Sequence, residues 1–178
     1  VDSFNFSEVS ALVIEPDRFS YGIIGQILRG YGLEDLVLIT TGGEAKKLLP
    51  GGRFHLLLTE SLLPDMAMTS LLKWIRRHPK NEVRFLPVVM LTGYAQFSRV
   101  TTARDAGVNS VVCKPVAPVT LFDHIMRAAR PDRAFIDADD YAGPCRRFHD
   151  NTPDPEQSRR ASDHPMEAFR LSGPGRGL

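Results

Sequence analysis

Five side chains able to do charge or hydrogen-bond chemistry stand close behind short apolar runs of this chain. Glu15 and Asp17, separated by Pro16, follow the run at 11–14; Glu60 follows 54–58; Thr92 follows 88–91; Lys114, ahead of Pro115, follows 111–113. Carboxylates are ligands for a hard cation, and a carboxylate beside an ammonium gains from an ion pair when both are partly withdrawn from water. Neither chemistry exists unless the fold brings these positions together, so the elements that carry them decide the matter.

The runs at 11–14, 36–39, 54–58, 88–91 and 111–113 lack strict apolar–polar alternation, which predicts strands buried on both faces. Helical spacing links Phe19, Ile23, Ile24, Ile27 and Leu28, and again Met68, Leu71, Leu72 and Ile75, so each set is expected to face the sheet. Thr41 with Glu44 has capping-box spacing and opens a short second helix that Pro50 and Gly51 close. A fourth helix is expected to turn Phe97, Val100, Ala103 and Ala106 inward and stop at Gly107. A fifth starts near Pro118 and carries Leu121, Phe122, Ile125 and Met126. The pattern is (βα)5, an α/β fold with a doubly wound, five-stranded parallel sheet. In such a sheet, ligands sit beyond the carboxyl ends of the strands, where Glu15, Asp17, Glu60, Thr92 and Lys114 fall.

The chain of 178 residues is 43% hydrophobic, enough for one domain with a core and an appendage. Composition shifts near residue 130: the last 48 residues hold 14 apolar residues, six prolines and no lysine. The organisation expected is an N-terminal extension at 1–10, a folded domain at 11–130, and a tail at 131–178 that is extended or stabilised by a partner. Truncation after Arg130 is then expected to leave the domain folded. With 22 basic and 21 acidic residues there is no bulk attraction to nucleic acid or anionic membrane, and the tail lacks the periodic helices of a helix-turn-helix domain, so direct DNA binding is not expected. No apolar stretch approaches the roughly 18–20 residues of a membrane span. The first residues lack a charged-then-apolar export signal, and two cysteines supply neither a disulfide scaffold nor a four-cysteine metal site; a cytoplasmic protein without membrane insertion is the expectation.

The segments LVIEPDRFSYGIIGQILRGYG, FHLLLTESLLPDMAMTSLLKWIRR, VVMLTGYA and GVNSVVCKPV, in that order and spacing, resemble the receiver domain of two-component response regulators over residues 9–130. The resemblance implies a flavodoxin-like fold of strand order 2-1-3-4-5. It also implies a phosphorelay setting: two acidic residues after the first strand hold magnesium, an aspartate ending the third accepts a phosphoryl group from a histidine kinase, and the strand-four hydroxyl and strand-five lysine contact the phosphorylated product. Thr92 and Lys114 match the last two. Three positions depart. Glu60 stands at the phosphoacceptor position with a carboxylate one methylene too long for the usual in-line attack. Pro16 replaces one of the acidic pair, leaving Glu15, Asp17 and Glu60 as weak candidates for a metal, so no cofactor is expected to bind tightly. Val111 stands where receivers often carry a switching aromatic ring.

These departures imply a pseudo-receiver that is not an enzyme and acts through protein contacts, with a histidine kinase or phosphotransfer protein as partner and homodimerisation through the fourth helix, fifth strand and fifth helix. The alternative is a magnesium-dependent receiver phosphorylated by a histidine kinase, with Asp17 or Asp65 displaced into the chemistry. A flavin or small-ligand binder on the same fold lacks a phosphate-cradling loop after the first strand. Glu60 reads as a lost nucleophile, a standing mimic of phosphoaspartate paired with Lys114, or a structural ion pair. In the tail, residues 141–151 resemble stretches that follow some single receiver domains, with Tyr141, Arg146 and Arg147 as partner-binding candidates. Cys113 is expected to be an inert core thiol, His78 and His124 surface residues, and Arg76, Arg77, Lys80 and Arg84 a solvated face or a lure for an acidic partner.

Overall fold

The structure is a computed structural model and describes residues 6–93, 97–130 and 133–145. Its centre is a parallel sheet of β1 (Ser10–Ile14), β2 (Asp35–Ile39), β3 (Leu56–Glu60), β4 (Val88–Thr92) and β5 (Ser110–Cys113) in the order 2-1-3-4-5. The crossovers carry α1 (Arg18–Gly30), α2 (Gly42–Leu48), α3 (Met68–Arg76), a single-turn α4 (Asn81–Arg84) and α5 (Phe97–Asp105), and α6 (Pro118–Ala128) follows β5. This is the flavodoxin-like (βα)5 fold expected from the sequence.

Alternation within each strand divides the core in two, because successive side chains leave opposite faces of the sheet. Ala11, Val13, Leu58, Val89 and Leu91 pack under α1 and α6 with Ile24, Leu28, Leu121 and Ile125. Leu12, Ile14, Leu57, Val88 and Met90 pack with Met68, Leu71, Leu72 and Ile75 of α3, with Ala103 of α5 and with Ala106 just after it. The capping box at Thr41 is present: Thr41 Oγ1 accepts from Glu44 N, and the Glu44 carboxylate accepts from Thr41 N.

Several expectations need correction. Phe19 is 77% exposed and Ile23 40%, so neither faces the sheet. At 3.6 residues per turn Phe19 lies about 140° around the helix from Ile24, and the inward stripe is Ile24, Ile27 and Leu28. Cys113 is exposed: it ends β5, which among the described residues has a strand neighbour on one side only. His124 is half-buried, with Nδ1 2.6 Å from Ser110 Oγ.

The basic cluster is only partly a solvated face: Arg77 and Lys80 are exposed, whereas Arg84 is half-buried and Arg76 buried. Arg76 is 1% exposed and donates to Gly107 O at 2.8 Å, Arg84 O at 2.9 Å, Leu86 O at 2.7 Å and Asn109 Oδ1 at 2.7 Å. Burial pulls its guanidinium down to about 9, still cationic at neutral pH. Arg77 donates to Ala138 O and Asp139 O, and Arg84 pairs with Asp137. Their partners belong to an antiparallel hairpin of β6 (Phe135–Asp137) and β7 (Ala142–Pro144). Composition assigns this segment to the tail, yet it packs on the domain: Phe135 is 1% exposed, edge-on to Phe85 with centroids 4.7 Å apart, and Arg133 Nη1 donates to Asn109 O at 2.7 Å. Gly107 adopts φ +98° directly beneath Ala142 O.

Candidate functional site

Register brings the sequence-separated side chains to one end of the sheet. Glu60 ends β3 opposite Leu91, Thr92 ends β4 opposite Cys113, and Lys114 N donates to Thr92 O at 2.8 Å. Glu15 leaves β1 with its N–H on Ile39 O. The Lys114 ammonium lies between two carboxylates, 2.6 Å from Glu15 Oε2 and 2.5 Å from Glu60 Oε2. All three side chains are withdrawn from water: Glu15 is 1% exposed, Glu60 12% and Lys114 19%. Burial works against the lysine's charge, but the hydrogen bonds and proximity of Glu15 and Glu60 outweigh it and hold its pKa above the ordinary value.

The second oxygen of each carboxylate is also engaged. Glu15 Oε1 accepts from Asp17 N at 3.1 Å, across Pro16. Glu60 Oε1 accepts from Ser61 N and from Ser61 Oγ, each at 2.6 Å, and Ser61 Oγ is 3.0 Å from Thr92 Oγ1. Sequence reasoning passed over Ser61; its only signal was its position directly after the strand-ending carboxylate.

Of the remaining predicted residues, Asp17 points its carboxylate along its own chain. Oδ2 accepts from Ser20 N at 2.8 Å as the N-cap of α1, and this bond holds its pKa below the ordinary value. Asp65 is spent elsewhere, accepting from Gly42 N at 2.9 Å and Gly43 N at 2.7 Å at the start of α2. Val111 is half-buried beside Met90. Tyr141 lies in the hairpin at the other end of the sheet, 5% exposed with its hydroxyl donating to Pro144 O at 2.7 Å. Arg146 and Arg147 lie outside the described residues.

This donor set does not fit a divalent cation. Two of its three carboxylates already hold an ammonium, the third caps a helix, and Pro16 has no side-chain oxygen. Among the described residues, no group of three or more His, Cys, Asp or Glu side chains has the geometry to hold a metal ion. What the site does is fix charge: one cation and two anions, clamped by backbone and hydroxyl donors.

A 2-1-3-4-5 parallel sheet that gathers a lysine, a threonine and carboxylates at its carboxyl end defines a signalling receiver architecture. The chain belongs to the response regulator receiver domain family, whose model matches residues 11–126. The chemotaxis protein CheY-3 of Vibrio cholerae is 33% identical over 110 residues, covering 62% of this chain and 83% of its own. A CheY-like receiver domain protein from Methanospirillum hungatei superposes with a TM-score of 0.59 at 27% identity, covering 66% of this chain and 90% of its own. The receiver domain of a sensor histidine kinase from Pseudomonas aeruginosa, solved with magnesium in its active site cleft, shares the fold with a TM-score of 0.61 at 24% identity, over 67% and 95% of the two chains. The protein is thus a receiver-domain signalling protein, regulatory rather than catalytic. No helix among the described residues is long and apolar enough to cross a membrane.

Proposed function

We propose that this receiver works through protein contacts without a phosphorylation cycle. The observation that carries the reading is the Lys114 ammonium seated between Glu15 and Glu60. In a magnesium-dependent receiver those carboxylate positions serve the metal and the incoming phosphoryl group; here they hold a cation supplied by the chain. The longer Glu60 carboxylate, with four hydrogen-bond donors on its two oxygens, is a poor nucleophile because each donor stabilises the charge it would have to give up.

The partner class is a sensor histidine kinase or a phosphotransfer protein, supported by the likeness to receiver domains of sensor kinases. A second copy of the chain could pair through α5, β5 and α6, where β5 is an edge strand among the described residues. The test is an amide NMR titration of the full chain with magnesium and then beryllofluoride, with intact mass after incubation with a small phosphodonor. No saturable shifts at Glu15, Glu60 or Thr92 and no mass increment are the results expected. Saturable shifts with an added phosphoryl group would return the protein to the conventional switch.

A further inference from the structure

The contacts of Ser61 reach beyond its neighbour. Its hydroxyl lies 2.6 Å from Glu60 Oε1 and 3.0 Å from Thr92 Oγ1, and a hydroxyl has one hydrogen to give. An ionised carboxylate at 2.6 Å takes that hydrogen, since charge-assisted O–H···O bonds are the shorter and stronger kind. Ser61 Oγ is then left as an acceptor facing Thr92, whose own hydrogen completes the chain from Thr92 through Ser61 to Glu60. The backbone fixes the same geometry: Ser61 N donates both to Leu91 O at 3.0 Å and to Glu60 Oε1, so the serine is pinned against β4 and the carboxylate together. Thr92, 1% exposed, and Glu60, 12% exposed, leave water little room to substitute for the bridge.

We propose that Ser61 is a positioning residue that ties the strand-four hydroxyl to Glu60, so that Thr92 is held in one orientation by the chain itself. The proposal rests on the reading of this pocket as phosphorylation-independent. The two groups that the family resemblance assigns to the phosphorylated product, the lysine and the threonine, are thereby both committed to Glu60: Lys114 directly on Oε2, and Thr92 through Ser61 on Oε1. A receiver wired in this way has a Thr92 orientation set by the charge of Glu60 and not by an arriving phosphoryl group.

The test uses the full chain and its Ser61→Ala and Ser61→Thr variants, with the Thr92 χ1 rotamer read from three-bond couplings and its methyl shift. The wild-type protein is expected to show a single rotamer with Oγ1 towards Ser61. Ser61→Thr keeps a hydroxyl and should preserve it; Ser61→Ala should give averaged couplings and a moved methyl resonance, while urea unfolding confirms that the variant is folded. A purely structural serine would not produce loss in one variant and rescue in the other. Unchanged couplings in Ser61→Ala overturn the proposal. So does a wild-type Thr92 that is already averaged or turned away from Ser61, a measurement that needs no variant to fold. A phosphoryl mass increment on the wild-type chain would overturn the phosphorylation-independent reading alone, leaving the bridge to be judged by the couplings.

Discussion

Replacing Lys114 with methionine keeps most of the stem's volume and removes the ammonium, leaving Glu15 and Glu60 facing each other. Two charge-assisted hydrogen bonds disappear, and a carboxylate only 1% exposed loses its counter-ion. Breaking a buried ion pair from one side costs about 3–5 kcal/mol. Because the lysine is 19% exposed and water can enter from its side, the lower half of that range is expected. With a urea slope of about 2 kcal/mol per molar for a domain of this size, the unfolding midpoint should fall by roughly 1.5–2 M at pH 7 with little change in slope. The pH dependence has a fixed sign. The folded-state pKa of Lys114 is raised above its ordinary 10.5, so the stability it supplies is complete below that value and is lost as pH climbs through the higher folded value. The gap between wild type and Lys114→Met should therefore be constant from neutral pH to about 10 and narrow above 10.5. Urea curves for both proteins across this range provide the assay. A loss below about 1 kcal/mol at pH 7, the scale of an exposed pair, or a gap that does not narrow in alkali, would refute the clamp.

Two further expectations concern the opposite end of the molecule. Gly107→Ala puts a Cβ 2.9 Å from Ala142 O and from Arg76 Cγ at a residue with φ +98°, so left-handed strain and overpacking together should cost about 3 kcal/mol in thermal or urea unfolding; a loss under about 1 kcal/mol would mean the hairpin is not seated there. Truncation after Arg130 removes Phe135 from Phe85 and uncovers Arg76. It should destabilise the protein by about 3 kcal/mol, the scale of one buried aromatic ring together with the hydrogen bonds that Arg133 makes to the domain. Truncation after Cys145 keeps the hairpin and should leave the midpoint unchanged; equal midpoints for the two truncations would restore the boundary at Arg130.

The five βα units were legible because a sheet covered on both faces leaves continuous apolar runs, and four of the five runs ended where the chemistry-bearing residues stand. Glu15, Glu60, Thr92 and Lys114 could be gathered from sequence for the same reason. Direction around a helix was less legible: Phe19, Ile23 and Ile24 all fit an apolar stripe, and only packing tells which side of α1 meets the sheet. Arg76 was hidden because its neighbours Arg77 and Lys80 are exposed, and nothing local signals that four oxygens from distant segments converge on one guanidinium. The hairpin escaped composition because Arg77, Arg84 and Phe85 meet it from far back along the chain, a distance no window of composition spans. Ser61 was missed since a serine after a strand is ordinary until the register of β4 sets Thr92 beside it.

The hairpin's seat has a geometric consequence. Phe85, Gly107 and Asn109, which receive it, all precede β4 or β5, whereas Glu60, Thr92 and Lys114 close or follow β3, β4 and β5. The five residues of β4 separate the two by about 16 Å of extended chain. Whatever continues past Cys145 thus starts from the pole opposite the charged clamp, a full strand length away from it.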